Sequence, residues 1–444
     1  MPKMMRKFFL FFTLILFPLG VFGQSSDVKF TEFDLENGLH VILHEDNSTP
    51  IIAITVTYHV GSKNEQPNRT GFAHFFEHLM FEGSENIKRG EYDTYVQNAG
   101  GQLNASTSFD QTFYYETLPS NQAELGLWLE SERMLHLKVD SIGVETQRGV
   151  VKEERRQGLE NRPYGSIMEQ TFSHAFKEHP YRWTPIGSAQ YIDMATLDEF
   201  MQFYKTFYVP NNAVLSIAGD FKTDEMKKLI GKYFGDIPKG TNEIYRPNVI
   251  EPAQTAEVRD TVFDNIQLPA VIQAYHIPKQ GTDDYYALQM LTILLSGGQS
   301  SRLYKKLVDE ERKALQVASF PFSLEDPGLF LVLAITNAGV TADEVEALID
   351  GEIQNAKTKL VDEKEFEKLR NQVESDFYSQ NSTVLGKARN LAEYELFFGD
   401  ANLINTEIER YLKVTREDVK NAANKYLTKE NRTVLYYLPK SASK

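Results

Sequence analysis

Two histidines four positions apart, with a glutamate just before the second, are the most reactive-looking feature of this 444-residue sequence: His74-Phe75-Phe76-Glu77-His78. On an α-helix, positions i and i+4 share a face one turn apart, so both imidazoles can reach one cation. Neutral imidazole joined to carboxylate is a donor set that suits zinc. Glu77 lies beside that line of histidines, where it can exchange a proton with water at the metal without being a ligand. Phe75, Phe76, Leu79 and Phe81 would bury the helix and restrict solvent. The competing explanation is two core histidines and a surface glutamate. With 9 histidines in the chain, such a match should arise by chance in about one sequence in a hundred.

A catalytic zinc takes three protein ligands and keeps a fourth position open. The chain has no cysteine, so disulfides, thiolate ligands and a cysteine nucleophile are all excluded. The third donor must be a carboxylate or another histidine. A helical pattern from Ser141, a candidate N-cap, to about Leu159 offers Glu153 and Glu154. Val144, Gln147, Val151 and Glu154 fall at i, i+3, i+7 and i+10, one stripe of that helix, and Glu153 points a quarter-turn away. A carboxylate in an inward stripe fits a ligand, which favours Glu154 and leaves Glu153 as the alternative.

The elements that must hold these groups can be read around them. Ile52–Val60 alternates as a strand, Gly71–Gly83 and Glu91–Ala99 read as helices, and Gly100-Gly101 ends the second. Strands are expected near Gln102–Ser108 and Gln111–Thr117, and a further helix over Asn121–Leu137. The chain also repeats itself. Thr196-Leu197-Asp198-Glu199 opens a helix to Tyr208, then a turn at Pro210-Asn211-Asn212 and a strand Ala213–Ile217. Thr415-Arg416-Glu417-Asp418 opens another to Tyr426, then a turn at Lys429-Glu430-Asn431 and a strand Thr433–Tyr437. Each Thr is a good N-cap with an acid three residues on. This predicts a duplicated α+β unit, residues 28–240 and 253–440, joined by the Pro- and Gly-bearing stretch from Pro238 to Pro252.

Lys3, Arg6 and Lys7 precede a 12-residue, largely apolar run Phe8–Leu19 and a small-residue switch at Gly20–Gln24. That order predicts a signal peptide over residues 1–23, because the run is too short for the roughly 20 residues of a spanning helix. Export is expected, to a periplasm or otherwise to the outside, with no membrane span in the mature chain. The net charge is −15, and −18 without those three basic residues. Such a surface argues against nucleic acid and anionic membrane as partners.

His74-Phe75-Phe76-Glu77-His78, the glutamate at 154 and Gly100–Pro119 (GGQLNASTSFDQTFYYETLP) together resemble the pitrilysin-type inverzincins, the family of insulin-degrading enzyme and mitochondrial processing peptidase. Gly297–Leu307 (GGQSSRLYKKL) is similar to that family's C-terminal domain, so the likeness spans nearly the whole chain. The resemblance implies two homologous domains, each a mostly antiparallel sheet packed with helices, forming half of a clamshell chamber. It implies one Zn2+ held by His74, His78 and Glu154, with Glu77 as general base. It also implies that Asn104, Ala105 and Ser106 lie on an edge strand to which a peptide substrate pairs through its backbone.

Two departures qualify it. The family often has a glutamate seven residues before the third ligand, where this chain has Gln147. Active members need an Arg and a Tyr seven residues apart in the C-terminal domain, and those places fall at Asp309 and Gln316. The expectation is a zinc endopeptidase for unfolded oligopeptides that works with a homologous subunit supplying the Arg/Tyr pair, or by self-association. A non-catalytic scaffold subunit and a hydrolase of non-peptide amides are the other readings.

Overall fold

The structure, a computed structural model, describes residues 27–440; the expected signal peptide lies outside them. Six strands, β1 (Thr31–Asp34), β2 (His40–Glu45), β3 (Ile51–Tyr58), β4 (Gln102–Thr107), β5 (Thr112–Pro119) and β6 (Ala213–Gly219), form one sheet in the order β1-β2-β6-β3-β5-β4. Five more, β7 (Val258–Asp264), β8 (Ala270–His276), β9 (Ala314–Phe322), β10 (Leu329–Thr336) and β11 (Arg432–Pro439), form a second in the order β7-β11-β8-β10-β9. Each sheet has one parallel pair, β2 with β6 and β7 with β11, and is otherwise antiparallel. Setting β2 beside β7 aligns the two orders strand for strand, with β1 left over. The fold is α+β with two like halves.

The first half carries the helices α1 (Phe72–Leu79), α2 (Glu91–Asn98), α3 (Ala123–Leu135), α4 (Ser141–Arg155), α5 (Ile167–Ala175), α6 (Ala189–Met194), α7 (Leu197–Phe207) and α8 (Thr223–Phe234). The second carries α9 (Asp283–Ser296), α10 (Ala342–Thr358), α11 (Glu363–Gln380), α12 (Val384–Phe398), α13 (Leu403–Lys413) and α14 (Arg416–Tyr426). The capping expected of the repeat is present at α7 and α14. Thr196 and Glu199, like Thr415 and Asp418, exchange side-chain and backbone hydrogen bonds in a capping box.

Central strands such as β3 and β6 are buried along almost their whole length, as strands covered on both faces must be. One face of the first sheet packs on its own helices through Ile54, Val56, Phe75, Phe76 and Leu127. The other face is covered by α12 from the second half, where Ala53 and Ala218 meet Val384 and Ala388. The second sheet is covered in return by α5 of the first half, where Phe172 and Ala175 meet Ile272, Leu435 and Tyr437. Each half therefore lends the other one helix.

Local expectations need small corrections. Asp140, not Ser141, is the N-cap of α4, because its carboxylate accepts from Gly143 N–H. That helix ends at Arg155 and continues as a π-turn, Arg156–Glu160. α1 is shorter than the sequence pattern: Gly71 precedes it at φ +97°, where a Cβ would press on Ile192 and the Ile186 carbonyl, so only glycine enters the helix this way. From Pro238 to Glu257 the chain has no regular structure.

Candidate metal centre

α1 is short, and both of its ends are anchored. Glu65, buried in the loop before it, accepts from Gly71 N–H and Ala73 N–H at 2.9 Å each. At the far end Arg133 Nε donates to the Met80 carbonyl at 3.3 Å, its guanidinium set among the rings of Phe81, Tyr92 and Tyr114. Burial pushes the Glu65 carboxyl up to about 8 against the pull of those N–H groups, while the guanidinium at the C-terminus matches the helix dipole. Glu65→Ala would leave two buried N–H groups without acceptors and is expected to cost about 1–3 kcal/mol in urea unfolding. A change under 0.5 kcal/mol would show that water replaces the carboxylate.

The anchored helix presents His74 and His78 side by side, ring centroids 4.8 Å apart. From α4, Glu154 Oε2 approaches His78 Nε2 at 3.2 Å and His74 Nε2 at 3.6 Å. All three donor atoms lie within 4.8 Å of one another. The structure thus brings together His74, His78 and Glu154, and it turns Glu153 away to bond Arg156 and Gln157. Burial, and then the charge of His78, holds His74 below the ordinary imidazole range, so its ring is a neutral donor. A hydrogen bond from His78 holds the Glu154 carboxyl low and ionised. The buried His74 Nδ1 has no hydrogen-bond partner. Two imidazoles and one carboxylate converging on one point fit a zinc ion with an open position.

Glu77 sits beside this cluster and outside it. Its Oε2 accepts from Thr107 Oγ1 at 2.7 Å. Burial pushes its carboxyl up, against the pull of that hydrogen bond and of His78. Thr107 ends β4, which pairs only with β5 and is the sheet's edge. On β4, Asn104 and Ser106 are exposed and Ala105 is half-buried. Asn104 Oδ1 accepts its neighbour Ala105 N–H at 2.8 Å. The edge strand β4 thus touches Glu77 at its Thr107 end.

Gln147 donates to the buried carboxylate of Glu82, which also pairs with Arg89. A glutamate at 147 would set a second negative charge against Glu82, whereas the amide satisfies it. Asp309 lies in a π-turn, Tyr304–Glu310, and Gln316 on β9, both exposed. Sequence reasoning missed Glu65, Arg133, Glu82 and Thr107. Only Thr107 had a signal, being a polar residue on the inward face that β4 shares with Leu103 and Ala105.

An α+β duplication with a His-x-x-x-His helix and a carboxylate from a following helix defines a class of peptidase scaffold, and the comparisons name it. Residues 40–186 match the model described as Insulinase (Peptidase family M16), and residues 195–373 match Peptidase M16 inactive domain. The zinc protease PqqE of Helicobacter pylori is 33% identical over 437 residues, covering 96% of this chain and 97% of that one. The chain belongs to the M16 peptidase family. A Schizosaccharomyces pombe protein named "Probable mitochondrial-processing peptidase subunit beta" is 24% identical over 441 residues, 96% of this chain and 92% of its own. The crystal structure of a protease from Helicobacter pylori superposes with a TM-score of 0.89 at 31% identity, over 93% of this chain and all of that one. The periplasmic protease PqqL from Escherichia coli shares the fold at a TM-score of 0.76 and 19% identity, covering 94% of this chain and 48% of its own. No helix among the described residues is long and apolar enough to cross a membrane.

Proposed function

We propose that the chain is a zinc-dependent endopeptidase acting on unfolded oligopeptides. The observation that carries this is the convergence of His74 Nε2, His78 Nε2 and Glu154 Oε2 next to a half-buried, separately held Glu77. These three residues would hold the ion, which when bound supplies Lewis acidity that polarises a carbonyl and acidifies water. An extended peptide would pair with the backbone of Asn104, Ala105 and Ser106, which places its amide bonds alongside Glu77 with little regard to side chains. Glu77 Oε1 is free of the Thr107 bond and takes the proton of the attacking water. It then returns that proton to the leaving amine.

With Asp309 and Gln316 where the family's Arg/Tyr pair is expected, a homologous subunit, or a second copy, would supply those groups. The relative named a processing-peptidase subunit, and the PqqL chain about twice as long as this one, support a two-part assembly. The basic and apolar N-terminus supports export, and the periplasmic relative of like fold makes that compartment the first to examine. The same two substitutions favour a second reading, a non-catalytic subunit.

Hydrolysis of a quenched fluorescent, unstructured peptide by the zinc-loaded full chain separates these readings. Turnover by the chain with its co-purifying homologue, or by a self-associated form, abolished by chelation and restored by zinc, is the expected result, and full activity of the monomer would remove the need for a second subunit. A folded, zinc-loaded chain inactive both alone and with its co-purifying homologue would exclude the endopeptidase. Glu154→Gln should lower zinc affinity at least about 10-fold and Glu153→Gln should leave it unchanged, read by dialysis against a chelator series. The opposite pattern would transfer the ligand role to Glu153.

A further inference from the structure

A second group of metal-donor side chains lies at the opposite edge of the first sheet from β4. In the β1–β2 ladder Asp34 stands across from His40, and Glu32 across from Ile42, so all four side chains share a face. Asp34 Oδ1 bonds His40 Nδ1 at 2.8 Å. That bond puts the ring proton on Nδ1 and leaves the lone pair on Nε2. The Nε2 atom is shut off from solvent and hydrogen-bonds to nothing. It faces Glu32 Oε2 and Glu395 Oε1, each at 3.9 Å.

Glu395 comes from α12, the helix that the second half lays on this sheet. Ile42, next along the same face of β2, packs against Leu391 and Ala392, one turn earlier on α12. The cluster is therefore built from two strands of one half and a helix of the other. Among the described residues, no ion pair links Glu32, Asp34 or Glu395 to a lysine or arginine. A lone pair aimed at two carboxylates, with a third behind the ring, is an arrangement that a dication relieves.

The geometry points to a second divalent-cation site, with His40, Glu32 and Glu395 as ligands and Asp34 orienting the imidazole. The carboxylate–histidine–metal order is the one that fixes a ligand's tautomer and raises its basicity. Imidazole with carboxylates suits zinc, whose ligands stand about 3.3–3.5 Å apart when tetrahedral. The two glutamate oxygens each need to close on His40 Nε2 by about 0.5 Å to reach that spacing. Glu32, half exposed on a sheet-edge strand, can make that movement. An ion bound there would tie the first strands of the chain to the second half, away from α1.

Metal counting on the full chain after dialysis against micromolar Zn2+ tests this. The wild-type chain is expected to bind two equivalents, and the variant carrying His74→Ala and His78→Ala one. Adding Glu395→Gln to that variant should remove the remaining equivalent. Asp34→Asn should weaken this site about 10–100-fold without touching the first. In the His74→Ala/His78→Ala variant, zinc should still raise the unfolding midpoint, because the site bridges both halves. A single equivalent in the wild-type chain that is lost in the His74→Ala/His78→Ala variant would make the cluster a protonated-histidine ion pair and overturn the proposal. So would a second equivalent that survives both His40→Gln and Glu395→Gln. Failure at His74 and His78 alone would count against the proposed peptidase centre and leave this site standing.

Discussion

Glu77→Gln is expected to lower peptide hydrolysis by about 10²–10⁴-fold while zinc content stays at the wild-type level. The amide has the size of the carboxylate and can still accept the Thr107 hydroxyl proton through its carbonyl oxygen, so the local packing has no reason to change. What it loses is basicity. Burial pushes the wild-type carboxyl up from the ordinary range, which strengthens it as a base and brings its proton affinity nearer that of the groups it must serve. Glu77 lies outside the three-donor cluster, so its charge is not needed to retain the ion. Zinc counts and steady-state rates on the same preparation check both halves of the expectation. Loss of zinc with loss of activity would make Glu77 a ligand and sink the division of roles.

The second large effect is on stability, at Lys63. It is buried in the turn Ser62–Asn64, between β3 and α1. Its ammonium contacts Asp110 at 3.0 Å, and Glu325 at 2.5 Å and Asp326 at 3.1 Å from the loop between β9 and β10. His59 reaches the same Glu325 oxygen at 3.0 Å. Burial alone would lower the Lys63 pKa, but Asp110 and Glu325 outweigh it and raise it. Lys63→Met would leave three carboxylates crowded without their cation, and a cost of about 3–5 kcal/mol in urea unfolding is expected. A loss below 1 kcal/mol would mean that His59 and His179 take over the neutralisation.

The same cluster sets an acid limit. Burial pushes the Glu325 carboxyl up, but His59 and Lys63 more than reverse this and hold it at about 2. Asp326 is lowered in the same way, by His179 and Lys63 against burial. A folded pKa below the unfolded one contributes stability above the unfolded value, and that contribution fades as pH falls towards the folded one. The contact between the halves should therefore weaken between about pH 4.5 and pH 2. In Lys63→Met this loss should begin at higher pH.

How far the sequence could be read depended on whether a group's partner was near in the chain. His74 and His78 were legible because i and i+4 on a helix share a face whatever the tertiary fold. Glu154 stood out because Val144 and Val151 mark the inward stripe, and both are buried in the structure. The strand and helix periods of the repeated segments were equally local, and the two sheets share their strand order. Glu65, Arg133 and Lys63 were invisible for the opposite reason. Each is a charge in an undistinguished stretch, and its meaning comes from atoms it meets only after folding: Ala73 N–H, the Met80 carbonyl, and Glu325, 262 positions away. The N-cap of α4 was misplaced by one residue because Asp140 and Ser141 are both good caps, and only backbone geometry chooses between them.

The exchanged helices, α12 on the first sheet and α5 on the second, amount to a two-fold interface enclosed within one polypeptide. Equivalent strands, β3 and β6 in one half and β8 and β11 in the other, each receive the partner half's helix. This is the reciprocity of an isologous dimer. A single ancestral half could have closed such a contact with its own copy, and joining the two end to end would then have freed them to diverge. One half carries the helix of His74 and His78, while its twin has no such pair. Because this symmetric contact is already satisfied inside the chain, any further copy or homologue must dock on a different surface. An assembly of two such chains would contain two unrelated interfaces, one old and covalently enforced, the other open to regulation.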